Sequence, residues 1–232
     1  MLAGDTASFS VEILDDTCPL SYTWRRFGTT ICPTLCTNST LKIFEVNSNS
    51  VGTYSVVVSN LSGPVTSSNA YLTVVSGPYP ASQSVEAGAN VTFTILVNGF
   101  GPATYRWRFN GQDLPDANGP ILSLTNVQPS QAGAYAVTVS KTNNPAGFVI
   151  SPDSILMVQP ISPRLGCVSV DTNGLRFMVW GSPDVTYVIQ ASDKLTEWID
   201  ISTNTAPASG NFEVIDPDAF SFDGRYYRAL QP

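Results

Sequence analysis

Val91-Thr92-Phe93-Thr94-Ile95-Leu96-Val97-Asn98-Gly99 carries apolar side chains at every odd position from 91 to 97, and Thr92 and Thr94 fill two of the three even ones. Side chains of a strand alternate between its faces, so a period of two reads as a half-buried β-strand. Tyr105-Arg106-Trp107-Arg108-Phe109-Asn110-Gly111 follows, then Ala132-Gly133-Ala134-Tyr135-Ala136-Val137-Thr138-Val139-Ser140. The same three-part pattern stands about 83 positions upstream: ASFSVEI over 7–13, YTWRRFG over 22–28 and VGTYSVVVSN over 51–60. The chain thus repeats one strand-rich unit twice before residue 160.

Length and composition bound the rest. A chain of 232 residues with a repeat of this size predicts three small domains: 1–76, 77–160 and 161–232. Charged residues make up only 12% of it, a balance that suits short strands joined by turns rather than long charged helices. The net charge of −7 argues against nucleic acid, which needs a basic patch to neutralise phosphate. Histidine is absent, which removes the commonest general base and transition-metal ligand and rules out a Ser-His-Asp or Cys-His site. No apolar run reaches the roughly 18 residues that span a bilayer, so membrane insertion is not expected. The opening MLAGDTAS has neither a basic nor an apolar region of a signal peptide, and if the protein is secreted the expectation is a mature or excised piece.

The register of the repeat assigns its core. Ile95 on the first strand of the second copy is followed twelve residues later by Trp107, and Tyr135 stands two residues before Val137. The matching residues of the first copy are Val11, Trp24, Tyr54 and Val56. This ordered set resembles the I-set-like immunoglobulin domains of bacterial surface and secreted proteins, over roughly two thirds of the chain. The resemblance implies β-sandwiches in which Ile95 with Val137, and Val11 with Val56, replace the cystine, and Tyr54 and Tyr135 form tyrosine corners whose hydroxyls return to the backbone. Aliphatic pairs keep about 1.5–3 kcal/mol of burial per side chain and forgo the roughly 2–4 kcal/mol of a disulfide.

The copies differ at their starts. Gly77-Pro78-Tyr79-Pro80-Ala81-Ser82 leads into the second, whereas the first aligns from Leu2-Ala3-Gly4 with nothing before it. The first domain is therefore expected to lack its first strand. A fragment boundary, a sheet edge filled by a strand from another chain, and a shortened self-sufficient domain all fit that difference.

The third segment, after Val158-Gln159-Pro160-Ile161-Ser162-Pro163, has no such pattern. It reads LRFMVWG over 175–181, TYVIQASDKLTEWIDIST over 186–203 and FEVIDPDAFSFDGRYYRA over 212–229. Trp198, Asp216-Pro217-Asp218 and Tyr226-Tyr227 resemble a fibronectin-III-like module found at the C-terminal end of large secreted proteins of Verrucomicrobia and related bacteria. The fold class expected is all-β: two immunoglobulin-like sandwiches followed by a fibronectin-III-like one, with Trp198 as the core marker of the last.

Candidate site residues are few. Cys18, Cys32 and Cys36 leave three disulfide pairings open, Cys18 with either of the others or Cys32 with Cys36, and Cys167 falls in an alternating strand. Asp15, Asp16, Asp216, Asp218 and Asp223 follow no calcium-loop spacing and read as solvated turn carboxylates. Arg106 and Arg108 should point outward if Trp107 points in. Tyr79, Phe100, Phe220 and Phe222 read as core or linker packing rather than a sugar-stacking row. No catalytic, cofactor-binding or metal-binding set is expected, and no cofactor.

The function expected is a non-enzymatic extracellular or cell-surface structural and adhesive rod, assembling into a filament or surface layer by strand complementation. The alternative is a carbohydrate- or protein-binding accessory module of a larger secreted enzyme or adhesin. Protein is the expected partner, through self-association or neighbouring domains, with carbohydrate second.

Overall fold

The computed structural model describes residues 1–13, 20–31, 38–99, 101–142 and 144–232, with the backbone alone for 144–146 and 167. Cys18, Cys32 and Cys36, and with them every candidate disulfide pairing, lie outside the described residues, as do Asp15, Asp16, Phe100 and the side chain of Cys167. The chain is all-β. Its strands in order are β1 (Ala7–Ser10), β2 (Ser21–Arg26), β3 (Thr29–Thr30), β4 (Thr40–Ile43), β5 (Gly52–Asn60), β6 (Gly63–Thr66), β7 (Ala70–Leu72) and β8 (Val74–Tyr79). There follow β9 (Ser82–Glu86), β10 (Val91–Asn98), β11 (Ala103–Phe109), β12 (Gln112–Asp113), β13 (Ile121–Leu124), β14 (Gly133–Lys141), β15 (Asn144–Ile150) and β16 (Ser154–Gln159). The last are β17 (Arg164–Asp171), β18 (Gly174–Trp180), β19 (Thr186–Ser192), β20 (Ile199–Thr205), β21 (Asn211–Asp216) and β22 (Tyr226–Leu230).

Two compact units result. The first comprises Met1–Ala81, Thr92–Leu122 and Ala134–Ser154. In it β2 pairs antiparallel with β5 so that Trp24 lies opposite Val56, and β3, β6 and β7 extend that sheet. β1 pairs with β4, and Ala7, Trp24, Leu41, Val46, Tyr54, Val56, Leu72 and Val74 form a core. The same unit repeats the plan with β11 on β14, Trp107 opposite Val137 and Phe109 opposite Tyr135. The period-two reading holds in β10, where Phe93 and Ile95 are buried and Leu96 is half exposed.

The second unit comprises Ser82–Val91, Ser123–Gly133 and Ile155–Pro232. Here β9 runs parallel to β16, and Gly88 and Ala89 exchange backbone hydrogen bonds with Val127. Two three-stranded sheets follow, β17-β18-β21 and β20-β19-β22. Phe177, Val179, Tyr187, Ile189, Ala206 and Val214 make their core. Gly181 is required for close approach, since a Cβ there would fall 2.4 Å from the Tyr187 ring, whose hydroxyl accepts a 2.7 Å hydrogen bond from Ser182 N.

One carboxylate departs from expectation. Asp216, read as a solvated turn residue, is 1% exposed. Its Oδ2 accepts from Arg225 Nε at 2.5 Å and from the Tyr227 hydroxyl at 3.0 Å, and Oδ1 accepts from Asp218 N at 3.1 Å. A buried carboxylate persists only when paired and hydrogen-bonded in this way. Burial first, then the bond to Asp216, pushes the Tyr227 phenol up to about 12. Asp218 and Asp223 are exposed, as expected of turn carboxylates.

Candidate functional site

The residues singled out by the repeat converge in the first unit, in two parallel sets. Trp24 and Trp107 are buried, and each indole Nε1 donates to a backbone carbonyl, Asn38 O at 3.0 Å and Gly119 O at 2.9 Å. Tyr54 and Tyr135 are 2% exposed. The Tyr54 hydroxyl donates to Ser50 O at 2.6 Å, across the 3₁₀ turn Ser48–Ser50 that precedes β5. Burial pushes both phenols above their ordinary range. Val56, Ile95 and Val137 are buried, and Val11 is half-buried against the first core. Trp198 lies in the second unit, half-buried; its Nε1 donates to Leu195 O and the Arg228 guanidinium stacks on its ring at 4.1 Å.

Arg106 and Arg108 both reach Asp113 across the β11–β12 hairpin, at 3.0 and 3.1 Å, so one carboxylate bridges the two guanidinium groups within their own sheet. Of the aromatics read as core or linker packing, Tyr79 is 52%, Phe220 62% and Phe222 39% exposed, and the Tyr79 ring lies against Gly77 in the linker stretch. Phe222 is covered on one face by the Arg225 guanidinium, 4.1 Å from its centroid. Among the described residues no cluster of three or more His, Cys, Asp or Glu could hold a metal ion. Among the described residues no helix is long and apolar enough to cross a membrane.

The two sets differ at one place, and the difference has a shape. In the second, β8 pairs antiparallel with β10, Tyr79 opposite Thr94 and Ser76 opposite Leu96. Pro78 is buried there, and the Ser154 hydroxyl donates to Pro80 O. In the first, β1 is the counterpart of β10, and among the described residues it pairs with β4 alone. Val11 N donates to Ser39 O at 3.0 Å, toward β4. Antiparallel ladders alternate, so the N–H and C=O groups of Ser8, Ser10 and Glu12 face the opposite edge.

Beneath that edge the core opens. Phe9, Val11, Val58 and Ala70 are only half-buried, whereas Phe93, Ile95, Val139 and Ser154, at matching positions, are 5% exposed or less. Trp24, Tyr54 and Val56, deeper in, are buried like their counterparts. A groove of about 250 Å³ runs along Phe9, Val11, Val56 and Ala70. A second, of about 370 Å³ and mostly apolar, continues past Val11 along Val58 and Val65. An unpaired strand edge above an apolar groove can accept a further strand, with backbone bonds supplying affinity and the groove selecting side chains.

Comparison with known proteins agrees with this architecture. Residues 74–140 match the family described as Immunoglobulin domain. The chain is 34% identical over 86 residues to the Decoration protein of Escherichia phage T5, covering 37% of this chain and 49% of that one. It is 28% identical over 148 residues to the cell adhesion molecule CEACAM16 of Mus musculus, covering 53% of this chain and 34% of that one. Among solved structures, the I-band fragment I67-I69 from titin is 17% identical with a TM-score of 0.35, over 98% of this chain and 88% of that one. The chain spans less than half the length of the curated relatives named here.

Proposed function

We propose that the chain is a non-enzymatic structural and adhesive protein of the extracellular space or cell surface, built from three modules at 1–76, 77–160 and 161–232. The first two are immunoglobulin-like modules, and the third is a fibronectin-III-like module of the kind found in secreted bacterial proteins. Its work is protein contact, by strand complementation at the edge of β1, leading to a filament or surface layer. The observation that carries this reading is the edge itself, in which backbone donors and acceptors of Ser8, Ser10 and Glu12 lie over a half-open core. The match of residues 74–140 to the immunoglobulin family and the similarity to a mouse cell adhesion molecule support it. Light scattering with electron microscopy tests it. Defined oligomers or ordered fibres that grow with concentration are expected, and a monodisperse monomer throughout would refute self-assembly.

A second reading has its own support in the stretch shared with a phage decoration protein. On that reading the chain is a binding module displayed on a larger protein or particle, with protein or carbohydrate as ligand. Glycan-array binding by a chain that stays monomeric would favour it.

A further inference from the structure

Trp24, Trp107 and Trp198 each donate the indole N–H to a backbone carbonyl. Trp180, at the end of β18, differs: among the described residues its Nε1–H has no partner, and its ring has no aromatic or cationic neighbour. Its backbone is fixed from both sides, with Arg164 opposite on β17 and Asn211 opposite on β21. The benzo end of the indole reaches over Gly166, where a Cβ would stand 3.3 Å from Cζ3, so the half-buried ring rests on glycine backbone. Trp180 borders a cleft of about 800 Å³, a size ordinary for small-molecule sites, together with the exposed Arg164, Glu86 and Ser162. Arg176, Arg225 and Arg228 of the same unit donate to side chains, whereas among the described residues Arg164 donates to none and the Glu86 carboxylate accepts from none. The walls are fastened to one another. Glu86 is the ladder partner of Gln159, Ala87 N donates to Gln159 O at 2.8 Å, and Ile161 N donates to the buried Ser182 hydroxyl at 2.8 Å.

We propose that this cleft binds a neutral sugar ring of a polysaccharide, its C–H face stacked on Trp180 and its hydroxyls held by Arg164, Glu86 and Ser162. The inference rests on the second reading of the function, a binding module, and names the ligand class and the site. A guanidinium donates to two neighbouring oxygens, a carboxylate accepts from two hydroxyls, and a serine hydroxyl does either, which matches a polyol whose every hydroxyl both donates and accepts. One positive and one negative group leave these walls without net charge, so neither an anion nor a cation finds a matched field there. An apolar side chain could cover the indole but would leave the guanidinium and the carboxylate without partners.

The test runs the whole chain through gels containing soluble glucan, mannan or galactan, and titrates short oligosaccharides of whichever polysaccharide retards it. Retardation by at least one of the three is expected. Trp180→Ala should weaken binding by about tenfold or more, through loss of the stacked face, and Arg164→Ala, at an exposed position, by about tenfold. Trp198→Ala, which removes the other half-buried tryptophan of the unit, should bind as the native chain does. Native amide-exchange protection in β18 and β19 is the condition on which each variant is read. Retardation that survives both Trp180→Ala and Arg164→Ala overturns the site and leaves a carbohydrate-binding module standing. Unretarded passage through all three gels overturns the inference. Binding of a protein partner by the same monomeric chain would then keep the binding-module reading, and oligomers in its place would remove it.

Discussion

Arg225→Met isolates the cost of a buried charge in the third segment. The Arg225 and Asp216 side chains are 6% and 2% exposed and meet at 2.5 Å. Removing the guanidinium leaves a carboxylate in an apolar setting with the Tyr227 hydroxyl and Asp218 N as its remaining donors. Breaking a buried pair from one side costs about 3–5 kcal/mol. A segment of this size has roughly 4–11 kcal/mol of stability at about 0.05–0.15 kcal/mol per residue. The single variant should therefore be close to unfolding over β17–β22, with amide exchange in β18 and β19 faster by roughly 10²- to 10³-fold or more. The triple variant Asp216→Leu, Arg225→Met, Tyr227→Phe removes the charges and the hydroxyl together. It should return to within about 1–2 kcal/mol of the native chain, because replacing a whole buried pair by apolar groups is often neutral or stabilising. Exchange mass spectrometry on the intact protein reads both. Equal loss in the single and triple variants would show that packing, not charge burial, dominates here, and a single variant costing under about 1 kcal/mol would show that the pair is not desolvated.

Other expectations follow from the same contacts. Tyr54→Phe removes the 2.6 Å bond to Ser50 O and should destabilise the first unit by about 1 kcal/mol in urea denaturation. Trp107→Ala, at a fully buried position, should cost about 3–5 kcal/mol by the same assay, far more than Trp198→Ala at a half-buried one. Gly174→Ala would bring a Cβ to 2.2 Å from Asp216 O at φ +128, and should disrupt the β17–β18 turn and the Asp216 cluster with it, seen as loss of exchange protection in β18. The Tyr227 phenol is raised above its ordinary value of 10.0 to about 12, so its protonated form is favoured by folding. Its contribution is whole below pH 10 and lost as pH rises through about 12; alkaline titration of Tyr227→Phe should lack that part of the decline.

The alternation of Phe93, Ile95 and Val97, and the recurrence of Trp and Tyr at matching places, made the strands, the repeat and its buried anchors legible, because they depend on local periodicity and spacing. Asp216 was misjudged for the opposite reason. Its partners Arg225 and Tyr227 are nine and eleven residues away, and nothing local distinguishes a carboxylate that will be buried from one in a solvated turn. The sequence by itself determined the all-β class, the doubled core pattern and the Gly-Pro lead into the second copy. Only the tertiary structure decided that β8 closes over β10 while, among the described residues, β1 pairs with β4 alone above half-buried Phe9 and Val11. Strand pairing joins residues distant in sequence, and an unfilled edge exists only once every other strand has found its partner.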